Sequence, residues 1–347
     1  MQTILPQQNR NTEIRLLESP VITTVLRRAE LPALLSDGKR EWTAACLGCA
    51  DRPCMSYTEA ELRFDAIRDF PASAETAVCP VGAMVWNPVQ NRPEIAAAIC
   101  MECGLCAARC PVSAIYFADG FRISEEAEGT LCLPDTPEHR SRQREQLAML
   151  QTAVVTGSWF SDCDAQVQRV YQKLQSQRQD AQMQNLLARN SLLGLGFACV
   201  LRRRGDVNLR MDALFSCGEQ FGVAEIEFRQ DALEPPRAIL DDIAVLHARY
   251  GMEKQTILPL IVHLELPNAR TGHWQVVEDI AAVLDIRIRT VTLAALLLLL
   301  WHRKPLRLEG NAAFLRQEHR SLRNFLDESG IRSALPEGCC SMLEPEK

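Results

Sequence analysis

The stretch that most constrains this chain is CMECGLCAARCP, Cys100 to Pro111, with four cysteines in eleven positions. That density is beyond chance in a chain of 347 residues with 14 cysteines. A second group stands upstream, with Cys46, Cys49 and Cys54 spaced C-x2-C-x4-C and Cys79 followed directly by Pro80. The N-terminus, MQTILPQQNRNTEIRLL, has no basic start leading into an apolar core, so no secretory signal is expected. In the reducing cytoplasm that this implies, clustered cysteines point to metal rather than to disulfides.

The lower group, Cys100, Cys103, Cys106 and Cys110, is spaced C-x2-C-x2-C-x3-C and is followed by Pro111. A cubane iron–sulfur cluster offers one iron at each of four corners. A tight loop with two-residue spacers reaches three of them, and a distant thiolate must supply the fourth. The segment after Cys79, CPVGAMVW, matches the segment after Cys110, CPVSAIYF, in outline. C-x2-C pairs also serve zinc sites, but zinc leaves the two matching Cys-Pro units unexplained.

Over about residues 41–122 the chain resembles a two-cluster bacterial-type ferredoxin. The resemblance implies an α+β, ferredoxin-like domain with two [4Fe–4S] clusters. It gives one cluster to Cys46, Cys49, Cys54 and Cys110, and the other to Cys79, Cys100, Cys103 and Cys106. The chain departs from the pattern in the long segment between Cys54 and Cys79, which holds SYTEAELRFDAIRDF. Such an insertion leaves the ligand count intact and bears on solvent access. Cys132, Cys163, Cys199, Cys217, Cys339 and Cys340 lack ligand spacing. The first four are expected as core thiols, and the vicinal pair is expected in a solvated tail.

The length allows two domains. Residues 1–140 carry 13 Lys and Arg against 19 Asp and Glu, while the remainder carries 25 of each. An acidic front and a neutral back fit two functional units. The net charge of −6 gives no global basic bias toward nucleic acid. The expected organisation is an N-terminal arm over 1–40, the cluster domain over 41–122, a linker and helix over 123–160, a second domain over 161–330 and a flexible tail over 331–347. The most apolar run, TLAALLLLLW from Thr292 to Trp301, falls short of the roughly 20 residues that a membrane helix needs. It is expected as a buried helix, with no membrane partner.

From about residue 160 the pattern reads α-β-β-β-α-β-α-β. A long Gln/Arg/Leu/Ala-rich helix leads into FACVLRRR, NLRMDALFS and FGVAEIEF, short strands set off by turns. PPRAILDDIAVLHARYG then reads as a helix opened by Pro and closed by Gly. TILPLIVHLEL is a buried strand and HWQVVEDIAAVLDI a helix. Asp212 falls on one strand of the meander, with Glu225 and Glu227 on the next. Strand alternation puts Glu225, Glu227 and Arg229 on one face and Ala224, Ile226 and Phe228 on the other. Carboxylates on adjacent strands can share a divalent cation such as Mg2+, which activates water and stabilises a departing oxyanion. Alternating acidic and apolar residues also describe an ordinary exposed strand face.

This order and these acids resemble the PD-(D/E)xK nuclease superfamily. The resemblance implies a restriction-endonuclease-like α/β domain with a mixed central sheet flanked by helices. It implies Asp212 and Glu225 as ligands for Mg2+ or Mn2+, with Glu227 where the family usually has Lys. Arg229 or Lys254 would supply the missing positive charge. LRRRGD, Leu201 to Asp206, is a basic turn beside these acids and a candidate for phosphate contact. The function implied is an iron–sulfur DNA nuclease with DNA as partner, at home in a bacterial defence or mobile-element system with further protein subunits. The alternative is a ferredoxin-type electron carrier with a non-catalytic C-terminal interaction domain. No G-x-G-x-x-G fingerprint suggests an internal dinucleotide or flavin.

Overall fold

The computed structural model describes residues 14–15, 22–29, 46, 48–110, 114–117, 120–123, 126–134, 160, 162–176, 181–206, 209–228, 233–336 and 338–347. They divide into two units, Met1–Ser56 with Ala77–Ser161, and Tyr57–Thr76 with Asp162–Lys347. The sequence reading kept the whole of 41–122 in one domain. The structure gives the insertion between Cys54 and Cys79 to the second unit.

The first unit is built from small sheets. Strands β1 (Ile14–Arg15) and β2 (Ile22–Ala29) flank β7 (Glu126–Pro134), parallel and antiparallel respectively. Of the linker and helix expected over 123–160, residues 126–134 form β7 instead of a linker, and residues 135–159 lie outside the described residues. A polar segment becomes a strand because β2 offers it a partner about a hundred residues away. Strands β3 (Met84–Asn87) and β4 (Arg92–Ile95) form one hairpin, and β5 (Ile115–Phe117) and β6 (Phe121–Ile123) another. Each hairpin opens five residues after a Cys-Pro unit, Met84 after Cys79 and Ile115 after Cys110. The internal repeat in the sequence is therefore a structural repeat. Between the hairpins, helix α1 (Leu105–Arg109) buries Leu105 and Ala107. Its Arg109 donates to the carbonyls of Pro53 and Ser56 at 2.6 and 3.4 Å.

The second unit is mixed α and β, around a five-stranded sheet in the order β12-β11-β10-β9-β8. Strands β8 (Ala198–Leu201), β9 (Ala213–Cys217) and β10 (Gln220–Glu227) form an antiparallel meander. Strands β11 (Ile257–His263) and β12 (Arg289–Thr292) continue it in parallel with β10. Helices α2 (Cys163–Ser176) and α3 (Ala181–Gly194) precede the meander. Helix α4 (Glu234–Tyr250) crosses from β10 to β11, and α5 (His273–Leu284) from β11 to β12. Such crossovers are what parallel neighbours require. Pro235 and Pro236 open α4, where no intrahelical N–H is missed. Gly251 closes it at φ 69°, its N–H bonding back to His247. The Leu-rich run is helix α6 (Leu293–Trp301), with every residue buried and its first turn capped by the Thr292 hydroxyl. Among the described residues no helix is long and apolar enough to cross a membrane.

One sheet face is packed by Val223, Leu214, Ile257 and Ile261 against Ile239, Ile243 and Leu246 of α4. The insertion contributes to the same core through Ile67, Phe64 and Phe70. It also extends the sheet beyond β8. Ser73 N–H donates to Leu201 C=O at 2.8 Å and Arg203 N–H to Pro71 C=O at 2.7 Å.

The flexible tail expected over 331–347 is a correction. Ser341, Met342 and Leu343 are buried. The segment bonds through its backbone to Leu266, Ala269 and Leu322, and Met342 C=O accepts from the Thr292 hydroxyl at 2.6 Å. After a last short helix, α7 (Arg323–Glu328), the chain covers the end of the sheet rather than fraying. Cys339 is buried accordingly. Of the thiols expected in the core, Cys163 and Cys199 are buried, whereas Cys217 is exposed at the end of β9. The side chain of Cys132 lies outside the described residues.

Candidate functional site

Two cavities in the first unit divide the eight cysteines. One is lined by Cys79, Cys100, Cys103 and Cys106 with Met101 and Phe121. The other is lined by Cys46, Cys49, Cys54 and Cys110 with Trp86 and Ile115. Cys110 leaves its three sequence neighbours and joins the upstream triad. Helix α1 makes the division. It carries Cys106 on its own turn to one cavity, and ends at Cys110, whose extended backbone (φ −72°, ψ 114°) turns to the other.

The backbone around the sulfurs repeats with the sequence. Ala83 N–H donates to Cys79 Sγ and Ala114 N–H to Cys110 Sγ, both at 3.1 Å. Glu102 N–H donates to Cys100 Sγ at 3.4 Å, and Gly48 makes the matching bond to Cys46. Glu102 and Gly48 both take left-handed conformations, φ 58° and 60°. Glycine is required at position 48, where a Cβ would run into Asn91. Over the second cavity Arg52 lies 4.1 Å from the centroid of the Trp86 ring.

Burial pushes up the thiols of Cys46, Cys54, Cys103 and Cys106, and raises Cys49 to about 12. Neighbouring sulfurs add to the effect within each set, Cys110 and Cys46 on Cys49, and Cys79 and Cys100 on Cys103. Four thiolates facing one apolar cavity require a compensating positive charge. An iron–sulfur core would supply it, and backbone N–H donors to the sulfurs are the groups that tune such a core. The donor set fits the cluster. Among the described residues no three His, Cys, Asp or Glu side chains gather to hold a single metal ion.

A separate cluster of acids lies in the second unit. Asp212 ends the segment before β9, and the antiparallel register that pairs Ala213 with Ala224 sets it opposite Glu225. Asp212 Oδ2 accepts from Ile226 N–H at 3.1 Å, and Oδ1 accepts from Asn185 Nδ2 at 3.3 Å. The Arg202 guanidinium stands 4.0 Å from Oδ1. Glu225 is hydrogen-bonded to Asp242 of α4, a residue the sequence reading missed. Asp242 is 1% exposed, in line with Ile239, Ile243 and Leu246. Glu225 Oε1 and Asp242 Oδ2 have no hydrogen-bond partner.

Burial, then the bond to Asp242 and the charges of Asp212 and Asp242, push the Glu225 carboxyl up to about 11. Burial raises Asp242 to about 6, with Asp212 adding to the rise and the Glu225 bond opposing it. Burial also raises Asp212, against the Ile226 N–H and Arg202. Both pair members move the same way, since two acids sharing a buried bond hold a proton between them.

Asp212 and Glu225 are thus brought together, and Asp242 joins them. Glu227 lies two residues after Glu225 on the same strand. It ends β10 in register with His263. The positive charge comes from Arg202. Arg229 lies outside the described residues. Lys254 precedes β11, whose Ile257 pairs with Phe221 while Ile261 pairs with Glu225. Lys254 is therefore beyond the opposite end of the strand, more than roughly 13 Å along it. Comparison of the chain with protein-family models, with curated proteins and with solved structures finds no match.

Proposed function

We propose that the chain is a two-[4Fe–4S]-cluster protein whose second unit is a Mg2+- or Mn2+-dependent nuclease acting on DNA. The observation that carries the hydrolase reading is Asp212 facing Glu225 across β9 and β10 beside Arg202, in a sheet of α-β-β-β-α-β order. A bound divalent cation would polarise a phosphodiester oxygen and make water nucleophilic near neutral pH. Asp212 and Glu225 are the groups that would hold it. The Ile226 N–H and Asn185 fix the Asp212 carboxylate. Arg202 is held in turn by the Leu209 carbonyl at 2.7 Å, which aims its guanidinium at the acids. Its position suits contact with a substrate phosphate, and Arg203 and Arg204 extend the basic turn into solvent. The eight cysteines would hold the clusters, which organise the first unit.

The test is cleavage of plasmid and single-stranded DNA by the iron-loaded chain with Mg2+ or Mn2+. Cleavage is expected, with a loss of at least about a hundredfold in Asp212→Asn and Glu225→Gln. Cleavage that survives both substitutions, or an inert wild type, rules the reading out.

A second reading, electron transfer, is favoured by the closeness of the two cysteine sets. Cys54 of one set acts electrostatically on Cys106 of the other. Clusters so placed can pass electrons, and the acidic front half suits a basic redox partner. Reversible low-potential reduction that drives a partner's turnover is the finding that would favour it.

A further inference from the structure

We infer that the two cysteine sets give their clusters different reduction potentials, higher at Cys46, Cys49, Cys54 and Cys110 than at Cys79, Cys100, Cys103 and Cys106. An electron then passes from the Cys79 set to the Cys46 set and rests there. The inference rests on the two-cluster reading and gives its electron-transfer form a direction.

Charged side chains carry the argument, because much of the backbone around the sulfurs is matched. The amides of Ala83 and Ala114 serve Cys79 and Cys110 alike, and those of Glu102 and Gly48 serve Cys100 and Cys46. The side chains differ in sign. Arg52 lines the Cys46 cavity. Arg92 acts on Cys46 as a positive charge. Arg109 is fixed on the carbonyls of Pro53 and Ser56, which flank Cys54. Asp51, an exposed acid, opposes these three at Cys49. The Cys79 cavity is walled instead by Met84, Ile95, Met101, Leu105 and Phe121 with smaller residues. The charge in its cysteine loop is Glu102, half-buried between Cys100 and Cys103. Glu102 stands where the repeat has Gly48, on left-handed backbone that suits glycine. Arg52 is left-handed too, at φ 45°. An added electron is a negative charge. The guanidiniums favour it at the Cys46 set, while Glu102 and the apolar wall oppose it at the Cys79 set. Leu105 N–H adds a donor on Cys103, but a dipole is outweighed by full charges. In the transfer one cluster is oxidised as the other is reduced by the same single electron, with no bond or proton changed.

The experiment is an EPR-monitored redox titration of the full, iron-loaded chain, with dithionite supplying the electrons. Wild type is expected to reduce in two steps at least about tenfold apart in equilibrium constant, about 59 mV for one electron. Cys106→Ala should keep the upper step and Cys110→Ala the lower, which assigns each step to its set. Arg52→Gln should lower the upper step alone and Glu102→Gln raise the lower step alone, each by about threefold or more. A single unsplit step, the reverse assignment, or charge variants that move neither step overturns the inference. If a cysteine variant loses both clusters, Arg52→Gln and Glu102→Gln decide, since they keep every ligand. The two claims fail separately. About eight iron atoms per chain with the order of the steps reversed removes the direction and leaves the two-cluster reading. A chain that takes up no iron overturns both.

Discussion

The Ser73 amide donates to the Leu201 carbonyl at 2.8 Å, tying the insertion between Cys54 and Cys79 to the edge strand that leads into Arg202. Arg203 N–H returns a bond to Pro71. The insertion begins three residues after Cys54 and ends three residues before Cys79. Those two thiols belong to different cysteine-lined cavities. Loading both clusters would therefore anchor both ends of the segment whose middle pairs with β8. Removing iron with a chelator should speed hydrogen exchange at the Ser73 and Arg203 amides by roughly tenfold or more. Val223, in the middle of the sheet, should keep its protection. Unchanged exchange at Ser73 would show that the edge pairing stands without the clusters.

The crossing of Cys110 predicts which cluster each substitution damages. Cys110→Ala should leave Cys79, Cys100, Cys103 and Cys106 protected from alkylation and expose Cys46, Cys49 and Cys54. Cys106→Ala should do the reverse. Iron content should fall from about eight to about four atoms per chain in each variant. Mass-spectrometric mapping of the alkylated thiols checks the assignment. Alkylation of Cys100 and Cys103 in Cys110→Ala would contradict the division of the cavities.

Much of this was legible because it is local. Cysteine spacing, the Cys-Pro repeat, Pro235 at a helix start and Gly251 at its end act over a few residues. What escaped depends on distant partners. Residues 126–134 read as a polar linker because β2, which pairs with them, lies about a hundred residues away. The tail read as frayed because its bonds go to Leu266, Ala269, Thr292 and Leu322. The insertion read as part of the cluster domain because nothing local joins Ser73 to Leu201. Asp242 did leave a signal. Helical spacing sets it three residues after Ile239, one before Ile243 and four before Leu246, so it shares their apolar stripe. Its exposed neighbour Asp241 made the pair look like an ordinary solvated face.

The acid cluster predicts a pH dependence of stability. Burial raises Glu225 from 4.5 to about 11 and Asp242 from 3.8 to about 6. The folded chain therefore binds these protons more tightly than the unfolded chain does. That contribution is complete below about pH 4 and declines as pH rises, over pH 4 to 6 for Asp242 and onward through neutrality for Glu225. In buffer free of divalent cations the cluster's contribution to Tm should fall between pH 5 and 9, by at least about 4 °C. Glu225→Gln keeps the shape without the ionisation and should flatten the slope. Thermal melts of wild type and variant across that range make the comparison, and parallel slopes would contradict the shared buried proton.

Gly222 of β10 predicts a packing defect on the sheet face opposite the acids. It pairs with Phe215 of β9, and a Cβ at position 222 would run into the Phe215 ring and lie 2.5 Å from the Leu258 carbonyl. The ring is 1% exposed and packs edge-on to Phe197 at 5.9 Å between centroids, so it has little room to yield. Gly222→Ala should destabilise the chain by roughly 1–3 kcal/mol through overpacking. Phe215→Leu alone leaves a void and should also destabilise. Combined with Gly222→Ala it removes the ring from the path of the new methyl group. The double variant should be more stable than the sum of the single losses predicts, a coupling of about 0.5 kcal/mol or more. The Leu258 carbonyl stays in place, so recovery should be partial. Urea unfolding of the four proteins measures the coupling, and strict additivity would show that the ring does not set the need for glycine.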